Sequence, residues 1–184
     1  MDRDHLQRSI EERLRHLSLL LYDTEVPAAR VDEEVAPHLA PKVRFTDPWQ
    51  QASGRAKYRL GLAGFHGMLR FDLELAQVSV QLDAAGRTGR ALADGVMHLR
   101  FPAPLPSFPL RTILVYELRV TDPRTGRFVI TSQEEMWSVA DLLAGLPVVG
   151  EVYTRWFRPG FAWGFLAASW LSGRVRGKLD VGAA

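Results

Sequence analysis

A change of phase in an alternating pattern constrains the fold of this chain more than any other feature. Apolar residues occupy odd positions from 71 to 75 and even positions from 78 to 82. Side chains alternate between the two faces of a strand. All these apolar residues can therefore lie on the same face only if the strand includes an extra residue. We therefore predict a β-bulge near Ala76 and Gln77, and a curved sheet, because a bulge bends its strand.

Three helical patterns precede this alternating stretch, because apolar residues recur there every three or four positions. The stripes are Leu6, Ile10, Leu14, Leu17 and Leu21, then Val31, Val35 and Leu39, then Tyr58, Leu62, Phe65 and Leu69. A short strand is predicted near Val43 and Phe45, and long strands near 90–101, 111–121 and 127–138. This order predicts an α+β fold, with three N-terminal helices packed on a curved, bulged antiparallel sheet and followed by a C-terminal helical extension.

The distribution of charge separates a body from an extension. Residues 1–141 contain 18 Lys and Arg against 19 Asp and Glu, whereas residues 142–184 contain 5 against 2. The body has no stripe of basic residues, so nucleic acid is not an expected partner. We predict a pocket domain over 1–138 and an apolar, aromatic and basic extension over 139–184.

Composition limits the chemistry and the compartment. The chain has no cysteine, and its five histidines show no i, i+4 pairing, so we expect no metal site and no cofactor. The start, Met1-Asp2-Arg3-Asp4-His5, has no cationic region followed by an apolar run. A cytoplasmic protein is therefore expected, with peripheral contact to a membrane as one alternative.

The stretch Val43-Arg44-Phe45-Thr46-Asp47-Pro48, followed by Ser53-Gly54 and a helix with Tyr58, resembles the nuclear-transport-factor-2-like superfamily. That superfamily includes ketosteroid isomerase and the SnoaL-like cyclases. The chain is most similar to an uncharacterised plant and bacterial branch with the signature F-x-D-P…G…Y. The resemblance implies a cone-shaped domain with an apolar pocket between the sheet and the long helix, and a homodimer formed through the sheet.

The resemblance also implies roles for two residues. Asp47 matches the general base of ketosteroid isomerase, and Tyr22 lies close to where that enzyme keeps its oxyanion-donating tyrosine. Leu118 stands nearest to the position of the isomerase's protonated aspartate, which departs from the family pattern. From residue chemistry alone, Asp47 also suits a cap of the turn before Pro48, and Tyr22 a partly buried aromatic with a wet hydroxyl.

His98 is the third catalytic candidate, because it shares a strand face with Arg100 and could act with it as a base and an anion clamp. A hydrogen-bonded wall or surface histidine is the alternative. The remaining predicted ligand-binding residues are aromatic or polar side chains on the predicted helices and strands. They are Trp49, Tyr58, Phe65, His66, Arg100, Tyr116, Glu135 and Trp137.

The extension repeats tryptophan every seven residues, although Pro159-Gly160 is expected to interrupt a continuous helix. Its predicted membrane or partner contacts are Trp156, Trp163, Trp170, Arg174 and Arg176. Three alternatives stay open: packing on the domain or a partner subunit, anchoring at a membrane surface, and a transmembrane span.

These features together predict a protein that binds a small apolar or cyclic ligand in its pocket. One hypothesis is an isomerase, lyase or cyclase with Asp47 as its base. The other is a non-catalytic ligand carrier or interaction module, held at a membrane surface or a partner by the extension.

Overall fold

The computed structural model describes residues 2–48, 50–68, 70–100 and 107–166, except for the side chains of residues 65, 67 and 68. The chain divides into two compact units, one ending at Asp141 and one beginning at Leu142. The first unit contains the predicted sheet and N-terminal helices. The described part of the second consists of helical segments and turns.

Helix α1 extends from Arg3 to Leu21 and is capped by Asp2, whose side chain accepts a hydrogen bond from the backbone N–H of Asp4 at 2.9 Å. Such a cap satisfies an N–H group that the first helical turn leaves unpaired. The predicted stripe is the buried face of the helix, and it consists of Leu6, Ile10, Leu14, Leu17 and Leu21. This face positions the end of α1, and with it Tyr22, against the sheet.

Two shorter helices follow. Helix α2 spans Ala28–Val35 and comes directly after Pro27, and a single 3₁₀ turn at Ala36–His38 leads out of it. Helix α3 spans Arg55–Met68 and contacts the first strand of the sheet. The prediction of three N-terminal helices is therefore confirmed.

Six strands form one open sheet in the order β2-β1-β6-β5-β4-β3. Their bounds are Leu39–Thr46 for β1, Gln51–Ser53 for β2, Arg70–Leu82 for β3, Thr88–Arg100 for β4, Phe108–Asp122 for β5 and Arg127–Trp137 for β6. Helix α1 packs on β3. The last strand thus lies in the interior of the sheet, between β1 and β5.

The sheet is mixed, which corrects the expectation of a purely antiparallel one. Strands β1 and β6 pair in parallel, with Phe45 opposite Gln133 and Thr46 opposite Glu134. All other neighbours are antiparallel. The parallel pair joins strands far apart in sequence, so no hairpin turn between them constrains their direction.

The predicted bulge lies at Ala76. Leu75 pairs with Gly95 and Gln77 pairs with Asp94, so Ala76 is the extra residue on β3. A Cβ at position 95 would lie 2.3 Å from the carbonyl oxygen of Glu74, so the backbones approach too closely there for any residue but glycine. The bulge and this glycine together permit the bend of a curved sheet.

The chain after β6 continues as α4 at Val139–Gly145, α5 at Val149–Val152 and a π-helical turn at Tyr153–Phe157. Residues 158–166 are helical as well. The prediction that Pro159-Gly160 interrupts the helix is therefore wrong. The wide turn just before Pro159 is where the chain accommodates a residue that has no N–H to donate. Within the described residues, no helix is long and apolar enough to cross a bilayer.

Candidate functional site

A cavity lies where the end of α1, the strands β1, β2 and β6, and helix α3 meet. Its empty volume is about 520 Å³, including open solvent at its mouth. Leu21, Phe45, Ala52 and Leu62 supply apolar walls. Four buried polar side chains form its inner end, namely Tyr22, Tyr58, Gln133 and Glu135. An apolar cleft with a few convergent polar groups is typical of small-molecule sites.

The four buried polar groups form one hydrogen-bonded chain. The hydroxyl of Tyr58 donates to Oε1 of Gln133, and the amide Nε2 of Gln133 donates to the hydroxyl oxygen of Tyr22 at 2.6 Å. The hydroxyl of Tyr22 in turn donates to Oε1 of Glu135. Every donor in this series of hydrogen bonds is therefore oriented toward the carboxylate of Glu135.

Two more donors reach the same carboxylate. Nε2 of Gln133 lies 3.4 Å from Oε1 of Glu135, and the indole Nε1 of Trp137 donates to Oε2 at 3.2 Å. An ionised carboxylate offers about four lone-pair positions. Among the described residues, two donors therefore occupy Oε1 and one occupies Oε2, which leaves Oε2 with a position to accept a proton.

Burial raises the pKa of Glu135 from 4.5 to about 7. The side chain is only 5% exposed, so removal from water disfavours its charged form, and the negative charge of Asp47 adds to this effect. The hydrogen bonds from Tyr22, Trp137 and Gln133 act in the opposite direction but are outweighed. At neutral pH this carboxyl group can both accept and release a proton.

The neighbouring phenols stay protonated. Burial is the main cause that raises the pKa of Tyr22 and of Tyr58 well above 10, and the nearby carboxylate of Glu135 raises both further. The two hydroxyls therefore act as hydrogen-bond donors. Tyr22 is 2% exposed and Tyr58 is 5% exposed, so both are part of the inner wall.

Asp47 lines the cavity and also holds the turn that follows β1. Its two carboxylate oxygens accept hydrogen bonds from the backbone N–H of Gln50 at 2.8 Å and from the Gln50 amide at 2.9 Å. The backbone N–H of Asp47 donates to the carbonyl of Gln50 at 3.0 Å. Asp47 therefore lies on the cavity wall and also holds this turn, while its role as a general base stays a prediction.

His98 and Arg100 share one strand face, as predicted, but they lie outside this cavity. Both occupy even positions of β4, whose odd positions are buried, so their side chains are on the outward face. Nε2 of His98 lies 3.5 Å from a carboxylate oxygen of Glu74. Arg100 forms ion pairs with Asp72 and with Glu25.

Two other predicted ligand contacts do not line this cavity, since Tyr116 is part of the core and His66 is half-buried beside the end of α1. The hydroxyl of Tyr116 lies 2.9 Å from that of Ser18, and both residues are buried. His66 directs Nε2 at the carbonyl of Leu21 at 2.8 Å and packs edge-to-face on Phe71.

The other predicted residues divide into exposed and undescribed ones. Trp156 and Trp163 lie in the second unit, each 74% exposed. Trp49, Trp170, Arg174 and Arg176, and the side chain of Phe65, fall outside what the structure describes.

Gln133 was not predicted, although it links the two tyrosines to Glu135. The sequence carries a signal for it, because Gln133 shares the strand parity of Glu135 and Trp137 on β6. The side chain is fully buried and uses both ends of its amide, which is how a polar group becomes tolerable in a core.

Comparison with known proteins finds likeness in structure only. No family model matches the chain, and neither does any curated protein. A putative scytalone dehydratase from Novosphingobium aromaticivorans superposes with a TM-score of 0.56 at 16% identity, covering 72% of this chain and 83% of the other. Nuclear transport factor 2 from Cryptosporidium parvum gives 0.54 at 15%, covering 71% and 94%.

A hexachlorocyclohexane dehydrochlorinase of LinA type 3 from Novosphingobium barchaimii gives a TM-score of 0.57 at 12% identity, covering 71% of this chain and 86% of the other. The chain has the nuclear-transport-factor-2-like fold. The neighbours of this fold include enzymes, a transport factor and proteins of unknown function. At these identities the similarity to nuclear-transport-factor-2-like proteins shows the fold alone. Membership of the branch with the F-x-D-P…G…Y signature stays a prediction.

Proposed function

We propose that the first unit binds a small, largely apolar molecule with a carbonyl or hydroxyl group, and catalyses proton transfer on it as an isomerase or lyase. One observation carries this proposal. A buried carboxyl group with a pKa of about 7, Glu135, lies at the inner end of an apolar cavity and receives a directed chain of hydrogen bonds.

The proposed base is Glu135 rather than Asp47. General acid–base catalysis is most efficient when the pKa of the group lies near the working pH, and Glu135 meets this condition. Both oxygens of Asp47 already accept hydrogen bonds from Gln50. The contribution of Asp47 is its negative charge, which keeps the pKa of Glu135 high.

Tyr22 and Gln133 would act as positioning residues. Their hydrogen bonds fix Oε1 of Glu135 and leave Oε2 to take the proton. The apolar walls exclude water from a bound ring, which strengthens the interaction between the carboxylate and a carbon acid.

Exchange of α-protons for deuterium tests the proposal without knowledge of the natural substrate. A panel of cyclic ketones, beginning with cyclohexanone and 2-tetralone, is incubated in D₂O with the full-length protein, and exchange is followed by NMR. We expect the protein to accelerate exchange. Glu135→Gln should lower the accelerated exchange rate by a factor of about 10² to 10⁴. Asp47→Asn should retain most of it at a lower optimum pH.

Glu134→Gln is the matched control, because residue 134 is adjacent on β6 and points to the opposite face. It should exchange protons as fast as wild type. If Asp47→Asn abolishes exchange and Glu135→Gln does not, Asp47 is the base and the assignment to Glu135 is wrong.

A non-catalytic ligand carrier is the second candidate, and the attachment of Asp47 to Gln50 favours it. In a binding module, a carboxylate on the cavity wall can serve to hold a turn, as the Asp47 carboxylate does, and no proton transfer is required of it. In that case the ketones would quench the fluorescence of Trp137, which contacts the network, without any acceleration of exchange.

A further inference from the structure

The second unit ends its described part in a helix that exposes large apolar side chains. The helix includes the π turn Tyr153–Phe157 and continues through residue 166. Its exposed aromatic and aliphatic residues each leave between 59% and 74% of their surface accessible. They are Trp156, Phe157, Phe161, Trp163, Phe165 and Leu166. We call residues 156–166 the aromatic segment.

The apolar side chains of the aromatic segment surround its axis. A helix turns by about 100° per residue, so from Trp156 the successive positions 157, 161, 165, 166 and 163 lie near 100°, 140°, 180°, 280° and 340°. The gap between neighbouring apolar positions is at most about 100°. A protein groove covers one face of a helix, whereas lipid covers every side, so this distribution favours a lipid environment.

Charge changes abruptly where the aromatic segment begins. Arg155 and Arg158 are both exposed, and Arg155 pairs with Glu151 at 2.6 Å. Arg158 has no ion pair among the described residues, and no charged residue follows it up to position 166. Guanidinium groups beside aromatic side chains match the phosphate and headgroup layer of a membrane.

We propose that the aromatic segment enters the surface of an anionic phospholipid bilayer, with Arg155 and Arg158 at the lipid phosphates. The eight described residues that follow Arg158, 159–166, give about 12 Å at ~1.5 Å each, which is less than half of the ~30 Å hydrocarbon thickness. The segment therefore reaches into one leaflet. This function of the second unit does not depend on the chemistry proposed for the first.

Vesicle co-sedimentation of the full-length protein tests the proposal. The vesicles are phosphatidylcholine alone, or phosphatidylcholine with one quarter phosphatidylglycerol, and a lipid-free spin corrects for aggregation. We expect at least about tenfold tighter binding to the anionic vesicles. The double variant Phe161→Glu, Trp163→Glu should lose at least about tenfold, because charged side chains are costly to place in hydrocarbon.

Leu60→Glu is the matched control, since Leu60 is an apolar residue of the first unit that is also 74% exposed. It should bind within about twofold of wild type. The variant Arg155→Glu, Arg158→Glu should lose the preference for anionic vesicles.

Three results would overturn the proposal. Wild-type protein that does not sediment with anionic vesicles is one, and Phe161→Glu, Trp163→Glu protein that binds them like wild type is another. The third is an oligomer that this double variant dissociates while vesicles bind neither protein, which would identify a second copy of the chain as the occupant.

Discussion

The hydroxyl of Tyr22 donates a hydrogen bond to the carboxylate of Glu135, although 113 residues separate the two in sequence. Tyr22 is the first residue after α1, and Glu135 lies on the last strand. Their contact is the point where the helical part of the first unit and the interior of its sheet share a polar network. The proton affinity of Glu135 depends on this contact, because the hydrogen bond from Tyr22 lowers the pKa of that carboxyl group.

Replacing Glu135 with glutamine should change how stability depends on pH. The folded pKa of about 7 exceeds the ordinary 4.5, so the folded state binds the proton more tightly than the unfolded state does. This stabilisation is fully present below pH 4.5 and is lost as the pH rises through 7. At ~1.36 kcal/mol per pKa unit, the free energy of unfolding of wild type should fall by about 3 kcal/mol relative to Glu135→Gln.

Urea unfolding from pH 4.5 to 8 measures this difference. Glu134→Gln is the control and should follow the wild-type curve. Parallel curves for wild type and Glu135→Gln would show that the carboxyl group has an ordinary pKa in the folded protein.

Substitutions at Tyr22 and Asp47 should shift the pKa of Glu135 in opposite directions. Tyr22→Phe removes a hydrogen bond that lowers this pKa, so the pKa should rise above 7. Asp47→Asn removes a charge that raises it, so the pKa should fall. Titration of ¹³C-labelled glutamate carboxyls by NMR reads both shifts directly.

Tyr116→Phe serves as the control for that titration, because the hydroxyl of Tyr116 bonds to Ser18 and not to Glu135. Tyr116→Phe should shift the pKa of Glu135 less than Tyr22→Phe or Asp47→Asn does. Shifts of the same sign in Tyr22→Phe and Asp47→Asn would contradict the assigned causes.

Two glycine-to-alanine substitutions should have opposite effects on stability. At Gly95 a Cβ would lie 2.3 Å from the carbonyl of Glu74, so alanine must push β3 and β4 apart beside the bulge. We expect a loss of about 2 kcal/mol or more. At Gly64, inside α3, nothing lies within 4 Å of the added Cβ, and alanine should add about 0.5–1 kcal/mol.

Thermal unfolding of the two variants, with wild type as the reference, measures both effects. A Gly95→Ala protein as stable as wild type would mean that the strands do not approach so closely at the bulge.

We propose that the outward face of the sheet binds a second copy of the chain. Leu92, Ile113 and Met136 are each 40–45% exposed there, and Ile113 pairs directly with Met136 across β5 and β6. Arg90 and Asp94 carry opposite charges on the same face, which suits contact with a two-fold related copy.

Sedimentation of the full-length protein tests this interface. Wild type should be a dimer at about 10 µM, and Ile113→Lys should be a monomer, because a lysine at the centre of the contact leaves a buried charge. Leu60→Lys, on α3, should remain a dimer. Monomeric wild-type protein at this concentration would refute the proposal.

Local patterns predicted the helices and the bulge because these depend on neighbours in sequence. The phase change between Leu75 and Val78 predicted an extra residue near Ala76 and Gln77, and the structure has it at Ala76. The parallel pairing of β1 with β6 could not be predicted in this way, since no local turn connects the two strands.

The candidate site was predicted in part. Tyr22, Asp47, Tyr58 and Glu135 line one cavity. The first two were expected from the family resemblance, and the other two from their residue types on the predicted helix and strand. His98 follows its alternative interpretation as a surface histidine, which its neighbours Met97 and Leu99 already indicate, because they are apolar at the buried parity of β4. The pKa of Glu135 depends on burial and on a carboxylate from another strand, and neither is visible in a list of residues.

The position of β6 between β1 and β5 has a consequence for synthesis of the protein. Gln133 and Glu135 leave the ribosome after every other strand, yet they insert beside β1, which is made among the first. Until then the hydroxyls of Tyr22 and Tyr58 have no carboxylate to face. A nascent chain therefore lacks the hydrogen-bonded network of the cavity until the end of β6 has emerged, and it completes this network and its sheet in the same step.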